Sequence, residues 1–572
     1  MRCCNWGGAY GSEWFWIDAF CINQIDLEER RLQVNIMDKI YGQAEEVMIW
    51  LGPSNDASEE VFKLVRQISR LDRSMIEKFG YQLDPVMLCD LGLPHPGSGV
   101  WRNFLELYEM RWFHRIWVIQ EVVLAKYAVA HWGRLTMPWK DLLAGSQIFL
   151  PNRLRKSLFS KTSDRETEEN LSLGRNALRI ESIQDACILG HERRAFVAEL
   201  STGVRGLKMP GQVLLHLMHM ARDFHCSDQR DRVYSLLGLA TYVSKLRNLP
   251  GIRIAVDYSD TNTPAMVLTL VATIVIRECN CLGIISQVTD PTYRHIPSLP
   301  SWVPDFMGGP NYSLGRKSSF DASGLKSDGQ REFRIENHFL FTHSVRVGRL
   351  EEVVSARHNN SFDRLSAMLR IALRSCAPRH VDRIEALWRT MIWDVYGHGY
   401  LDDEHPAPPH LKDAFIASIA PILQSQTSQN VEGLLLLADD FKKTNNVYSG
   451  RGLTSLTGQI IEMVELLVKG DQVEAIQDGS VVDAEVFTSE TSEVTWAQGL
   501  FRVGTGYLGM GPHSSEPGDE LWIISGCPFP MVLRFGQGEV RKHSVIGRAP
   551  VHGLMHGEGL CENSNWEEIC LK

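Results

Sequence analysis

One stretch of the chain, residues 14–53, constrains the fold more than any other. It opens with four apolar residues at 14–17, three of them aromatic. A run that is apolar on both faces is typical of a buried strand in a parallel sheet. A helix should then begin at Asp26, because Asp26 and Glu29 have the spacing of a capping box, in which each carboxylate accepts from a free backbone N–H. The apolar residues that follow recur on one helical face: Leu32, Ile36, Met37, Ile40, Tyr41 and Ala44.

A second short apolar run, residues 47–51, completes a strand–helix–strand unit with a right-handed crossover. Four residues with polar or thiol side chains fall just past the first strand: Asp18, Cys21, Asn23 and Gln24. Open α/β sheets bind ligands at the carboxyl ends of their strands, so Asp18 and Asn23 are candidate ligand-binding residues. The alternative is structural, because Asp and Asn in such positions also cap turns and satisfy the loop backbone.

The whole chain, 572 residues, is long enough for two or three domains. Residues 1–150 have the pattern of an α/β domain with a parallel sheet, and helical periodicity dominates residues 151–330. Residues 331–572 alternate as strands do, with Gly and Pro at the turns, which predicts a small β-barrel. A helical stretch at about 362–470 interrupts this pattern as an insertion.

Composition and charge limit the class of protein. The net charge is −10 and no long basic run occurs, so the sequence predicts no nucleic-acid partner. The 12 Cys are scattered, and the N-terminus lacks the apolar core of a signal peptide. The longest apolar run, residues 265–276, is shorter than the roughly 18 residues of a membrane span. We therefore expect a cytoplasmic protein with reduced thiols and no membrane span.

The helix predicted at residues 115–125 is apolar almost all round, and it carries Gln120 and Glu121 among its apolar side chains. At least one of the two should therefore be buried. A buried carboxylate must be paired, hydrogen-bonded or shifted upward in pKa, and such groups are enriched at functional sites. Two interpretations stay open for Glu121: a structural ion pair with an arginine such as Arg111 or Arg115, or a functional carboxylate.

Three sequence blocks occur together in a fixed order: WIDAFCINQ at 16–24, IYGQAEEVMIWLG at 40–52 and RWFHRIWVIQEVVLA at 111–125. In these blocks the first quarter of the chain resembles the fungal heterokaryon-incompatibility (HET) domain. Shorter blocks at 228–240, 301–306 and 506–524 are similar to the long HET proteins, in which helices and a C-terminal barrel-like region follow the domain. The resemblance implies a role in non-self recognition and programmed cell death after cell fusion.

The resemblance also implies a chemistry. HET domains look distantly related to TIR domains, which share a flavodoxin-like sheet, and TIR domains that cleave NAD use a glutamate four residues after a tryptophan on a helix. Trp117 and Glu121 have that spacing. Carried over, Glu121 would be catalytic and would stabilise positive charge on the ribose as the glycosidic bond breaks. Trp117, Asp18 and Asn23 would contact NAD, which is a substrate here, and no other cofactor is implied.

The chain departs from the family pattern at its N-terminus. HET domains begin with a strand and helix that carry a motif like LSYxWG, and this chain has MRCCNWGGAYGSE there. The first strand of the sheet is therefore expected to be missing, as in an N-terminally truncated or degenerate member.

Two other motifs have simpler explanations. Residues 504–511 match the GxGxxG dinucleotide pattern, but a proline and a second turn follow where a helix is needed, so we predict a hairpin. A cluster of possible zinc ligands, His216, His219, His225 and Cys226, lacks a second ligand pair at convincing spacing, and no metal site is predicted.

Three functional hypotheses follow. The chain is an NAD-consuming enzyme of TIR-like type that self-association activates, an interaction module that binds incompatibility partner proteins without catalysis, or an inactive member of the family.

Overall fold

The structure is a computed structural model, and it describes residues 4–5, 14–72, 85–149, 175–188, 209–307, 320–324, 333–354, 361–376, 381–396, 405–425, 431–445, 456–469, 487–488, 491, 498–536, 542–561 and 564–572. These residues form two compact units. The first contains the described residues up to Ile188 and those from Met209 to Val267. The second contains the described residues from Leu268 onward.

The first unit mixes short strands with many helices. Its strands are β1 (Cys4–Asn5), β2 (Trp14–Phe15), β3 (Val47–Gly52), β4 (Ala128–Trp132) and β5 (Leu135–Pro138). Its helices are α1 (Asp18–Cys21), α2 (Leu27–Val34), α3 (Met37–Gln43), α4 (Ser58–Ile68), α5 (Pro85–Asp90), α6 (Val100–Tyr108), α7 (Arg111–His114), α8 (Trp117–Val123), α9 (Trp139–Ser146), α10 (Arg175–Ile188), α11 (Pro210–Met220) and α12 (Asp231–Leu246).

A three-stranded sheet, in the order β3-β4-β5, lies in this unit. The strand predicted at residues 47–51 is confirmed as β3, and it pairs in parallel with β4, with Val47 opposite Ala128. Side chains on β3 alternate between buried and exposed, and Trp50 is 56% exposed. In the described residues, β3 is therefore buried on one face only, although its sequence is apolar on both.

The prediction that residues 14–17 form a strand of the parallel sheet is wrong in the described structure. Only Trp14 and Phe15 form a strand there, and they pair antiparallel with Cys4–Asn5 in a separate two-stranded sheet. The strand is short because α1 begins at Asp18, whose carboxylate accepts a hydrogen bond from the Ala19 N–H at 2.8 Å. The parallel sheet of the described residues is thus built from β3 and β4 instead, and the flavodoxin-like strand order is not established.

The capping box predicted at α2 is half formed. Asp26 is the N-cap, and its Oδ1 accepts from the N–H groups of Glu28 and Glu29 at 3.0 and 3.1 Å. The Glu29 carboxylate reaches the Asn23 N–H at 3.3 Å rather than the N–H of Asp26. Because Asn35 and Ile36 separate α2 from α3, the predicted single helix is in fact two.

The second unit contains a β-sheet domain interrupted by helices. Its strands are β6 (Phe333–Glu336), β7 (Phe339–Val354), β8 (Gln498–Val503), β9 (Leu508–Pro512), β10 (Glu520–Ile524), β11 (Met531–Phe535), β12 (Lys542–Arg548) and β13 (Glu567–Leu571). Its helices are α14 (Ser361–Leu373), α15 (Arg383–Met391), α16 (Leu411–Gln424), α17 (Val431–Asn445) and α18 (Leu456–Lys469), and most of α13 (Pro264–Cys279) also belongs to it.

The strands of this unit close into a ring, because β10 pairs with both β11 and β7 while β12 and β13 link β11 back to β7. Apolar side chains from several strands fill the interior, among them Leu350, Phe501, Leu521 and Val532. In the described residues, helices α14 to α18 lie between β7 and β8, where the sequence predicts a helical insertion at about 362–470. The C-terminal sheet region is consistent with the predicted barrel-like region.

The GxGxxG segment is a hairpin, as predicted. Strands β8 and β9 pair antiparallel, with Phe501 opposite Gly509. The turn between them contains Gly506, whose φ of 95° is unfavourable for residues with a Cβ. No helix in the described part of the chain is long and apolar enough to cross a membrane.

Candidate functional site

Helix α8 holds Gln120 and Glu121 inside the first unit. Both residues are buried, at 2% and 8% exposure, so the prediction that at least one lies in the interior is confirmed. The Gln120 amide, oriented to satisfy both of its polar atoms, donates to the Ser235 carbonyl at 2.6 Å and accepts from the Asp38 N–H at 2.7 Å. Gln120 therefore joins α8 to α3 and α12, and it fixes the rotation of the helix that carries Glu121.

Glu121 shares one arginine with Asp18. The Arg115 guanidinium lies 4.0 Å from the Glu121 carboxylate and 3.5 Å from that of Asp18. Arg115 immediately precedes α8 and has a half-exposed side chain, whereas only 11% of the Glu121 side chain is exposed. One cation in contact with water thus serves two carboxylates, and it offsets the burial of Glu121 only in part.

Burial raises the pKa of Glu121 to about 7. The positive charge of Arg115 opposes this rise, the negative charge of Asp18 adds to it, and Trp112 lowers the pKa slightly. A carboxyl group with a pKa near neutrality changes its charge under ordinary cellular conditions, which suits general acid–base work and charge stabilisation in a site with little water.

Tyr41 on α3 lies near the same carboxyl group. Burial, together with the charges of Glu121 and Asp18, raises the pKa of its phenol well above the usual value. The rings of Trp16 and Tyr41 meet edge to face, with centroids 5.7 Å apart. Tyr41 therefore links the surroundings of Glu121 to an aromatic residue of another sequence block.

Trp117, one helical turn before Glu121, is held by a polar network. Its indole Nε1–H donates to Asp231 at 3.2 Å, and the Tyr258 hydroxyl donates to the same carboxylate at 2.5 Å. Arg30 approaches Asp231 at 3.4 Å and stacks over the Tyr258 ring, with its guanidinium carbon 3.7 Å from the centroid. Trp117 therefore has a defined structural partner as well as a half-buried ring.

The two remaining candidates from the sequence, Asp18 and Asn23, differ in whether they lie near Glu121. Asp18 combines both interpretations, because it caps the turn at Ala19 and faces Arg115. Asn23 is exposed, and its side chain accepts from the Ile25 N–H at 3.2 Å within its own loop. The structure brings together Glu121, Asp18 and, through α8, Trp117, and it shows no contact of Asn23 with them.

The possible zinc ligands are not grouped in the described residues. His216 is buried on α11, and burial lowers the pKa of its imidazole to about 4. His225 instead donates its backbone N–H to the His114 carbonyl and accepts from the Ile116 N–H. This backbone pairing joins the segment before α12 to the start of α8.

Sequence reasoning missed two groups at the site. Tyr41 is visible in the sequence only as a residue of a packing face, and Asp231 only as part of the block at 228–240. The sequence also could not show that Arg115 faces both carboxylates, because Asp18 and Glu121 are about one hundred positions apart in the chain. A signal existed for Asp231, since an acidic residue within a family block is a candidate site residue.

Comparisons with known proteins find two domain matches in the chain. Residues 7–121 match the family model described as heterokaryon incompatibility protein (HET), and residues 459–571 match the Het-6 beta-barrel domain. Glu121 is the last residue of the first match, and the ring of strands falls mostly within the second.

One curated relative aligns over nearly the whole chain. The heterokaryon incompatibility protein 6, OR allele, of Neurospora crassa is 23% identical over 618 aligned positions, which cover 97% of this chain and 82% of the relative. No solved structure matches the chain significantly. With both domain matches in the expected order, the chain is a HET-domain protein that also carries a Het-6 β-barrel domain.

Proposed function

We propose that this protein acts in fungal non-self recognition and that its first unit cleaves NAD between nicotinamide and ribose, with Glu121 as the catalytic carboxylate. The observation that carries the proposal is the burial of Glu121 beside a shared arginine, which raises its pKa to about 7. The curated relative supports the biological role through its name, heterokaryon incompatibility protein 6.

In this reaction the bond between the ribose C1′ and the nicotinamide nitrogen breaks, and nicotinamide leaves with the bonding electrons. Positive charge develops on the sugar, and water then attacks C1′ to give ADP-ribose and a proton. A carboxylate in a site with little water stabilises that charge strongly. The positive nicotinamide ring of bound NAD favours the ionised form of Glu121, as Arg115 does.

The proposed sheet is of TIR-like type. The parallel pairing of β3 with β4 supports this, because the neighbouring strands of a doubly wound sheet run parallel. We also propose a HET domain at 1–150, a helical middle region at 151–330 and a barrel-like region at 331–572, all in the cytoplasm.

The test is release of nicotinamide from NAD by the full chain, wild type beside Glu121→Gln. This change keeps the shape of the side chain and removes its charge, so we expect loss of release with a normal fold. Glu109→Gln is the matched control, because it makes the same change at a carboxylate that forms an ion pair with His114 at 3.1 Å. Equal release by wild type and Glu121→Gln would overturn the proposal.

A second candidate function, a non-catalytic interaction module, has its own observation. Several large apolar side chains near the start of the chain are exposed: Trp14 at 69%, Phe20 at 76%, Ile25 at 91% and Trp50 at 56%. Contiguous apolar patches are typical of protein-binding surfaces, and we propose that these side chains contribute to one. The occupants proposed are incompatibility partner proteins or a second copy of the chain.

The two functions separate in one set of variants. Phe20→Ser and Ile25→Ser change exposed side chains, so they should weaken self-association or partner binding without removing the Glu121 carboxylate. An interaction module would show the binding defect in these variants, no release in wild type and no effect of Glu121→Gln. A protein with neither activity would be an inactive member of the family.

A further inference from the structure

Asp231 occupies an unusual place for a charged residue. It is the first residue of α12, it is only 4% exposed, and it lies outside both regions that match family models. An acidic group at a helix N-terminus interacts favourably with the helix dipole, but that effect does not require burial. The buried position must therefore be explained by the groups that Asp231 contacts.

The two carboxylate oxygens of Asp231 have different partners. Oδ1 accepts from the Tyr258 hydroxyl at 2.5 Å. Oδ2 accepts from the Trp117 Nε1–H at 3.2 Å and from Arg30 at 3.4 Å. The oxygen that bonds to Trp117 on α8 is thus Oδ2, and Arg30 is the counter-ion of the same oxygen.

This contact decides what Trp117 can offer to a substrate. Because the indole N–H is committed to Asp231, the ring can interact with a ligand only through its half-buried face. A tryptophan face attracts planar cations, and the oxidised nicotinamide ring is planar and positively charged. Trp117 lies one turn before Glu121, so its ring and the carboxyl group project from the same side of α8.

We propose that Asp231 is a positioning residue of the NAD site, which holds the Trp117 ring by its N–H so that the ring stacks on the cationic nicotinamide. This inference rests on the proposed function. It assigns the substrate contact to the ring face of Trp117. It also adds Asp231 to the site, although Asp231 lies 114 positions after Trp117 in the chain.

The kinetic test uses the full chain with four variants. Asp231→Asn leaves one uncharged acceptor oxygen for the indole N–H, the Tyr258 hydroxyl and Arg30, and we expect kcat/KM for nicotinamide release to fall about tenfold, mainly through KM. Trp117→Phe removes the N–H and keeps a ring, and Asp231→Asn in that background should cause no further loss. Tyr258→Phe is the matched control, because it removes only the bond to Oδ1 and should leave KM within about twofold of wild type.

A second readout does not depend on activity. The indole N–H signal of Trp117 is identified in a ¹⁵N spectrum by its absence from Trp117→Phe, and we expect it to shift clearly in Asp231→Asn and much less in Tyr258→Phe. An unmoved signal in Asp231→Asn overturns the inference whatever the activity. Equal losses of kcat/KM from Asp231→Asn in the wild-type and Trp117→Phe backgrounds also overturn it, because Asp231 would then act through general stability.

Failure of the proposed function has a different signature. If the wild type releases no nicotinamide, stacking on nicotinamide is overturned together with the NAD reaction. The indole signal then still decides whether Asp231 holds Trp117.

Discussion

The carboxyl group of Glu121 is more easily protonated in the folded chain than in the unfolded one. Its pKa rises from 4.5 to about 7, chiefly through burial. Between these values the folded state binds more protons than the unfolded state, so the free energy of unfolding falls as pH rises through this window. Above about pH 7 the full cost of the buried charge is about 3 kcal/mol.

Glu121→Gln should remove this cost. We expect the variant to be more stable than the wild type by up to about 3 kcal/mol at pH 8, and nearly equal to it at about pH 4. Denaturant unfolding of both proteins across this range measures the difference. A difference that stays constant with pH would show that Glu121 does not titrate as described.

The sequence allowed this residue to be found because helix periodicity needs no distant information. A helix that is apolar almost all round has little room to expose polar side chains, so burial of at least one of Gln120 and Glu121 followed from residues 115–125 alone. The partners of Glu121 could not be read in the same way. Asp18 and Glu121 are separated by about one hundred positions, and only the folded chain brings Arg115 between them.

At the scale of elements, the two carboxylates of the predicted capping box at the start of α2 make different hydrogen bonds. Asp26 accepts two backbone N–H groups of the first turn, whereas Glu29 does not return to the N-cap. Asp26→Ala should therefore lower the free energy of unfolding by about 1 kcal/mol. Glu29→Gln, which keeps an acceptor oxygen, should change it by less than about 0.5 kcal/mol.

Thermal or urea unfolding of the two variants beside the wild type is the measurement. Equal effects of Asp26→Ala and Glu29→Gln would contradict the hydrogen bonding seen at this helix.

Local and non-local elements differed in how well the sequence predicted them. The hairpin at residues 504–511 depends on a turn and its two flanking strands, so glycine spacing and the following proline were enough. The pairing of residues 14–17 depended on a partner elsewhere in the chain. An apolar run indicates that a strand prefers burial, but it does not say which strand lies beside it.

At the scale of the whole molecule, the first unit extends well beyond the region that matches the HET family. Helices α11 and α12 belong to it, and α12 contacts α8 through Gln120 and Trp117. The structural support for the helix that carries Glu121 therefore includes α12, which the sequence assigned to a helical middle region. That assignment used periodicity alone, which identifies helices but not the unit they pack in.

A fragment of residues 1–150 should consequently fail to fold cooperatively, because it lacks the partners of Trp117 and Gln120 on α12. A fragment of residues 1–267 contains these partners and should unfold in a single transition. Circular dichroism during heating compares the two. Cooperative unfolding of the shorter fragment would show that α11 and α12 are not needed to hold α8.

The pH dependence of nicotinamide release tests the catalytic role of Glu121 most directly. Because the carboxylate must be ionised, kcat/KM of the wild type should rise with pH and level off above an apparent pKa of about 7, the value reached by burial. Glu121→Gln should release no nicotinamide at any pH. Release by Glu121→Gln at the wild-type rate, or a wild-type rate that does not change between about pH 5 and about pH 8.5, would contradict a catalytic role for this carboxyl group.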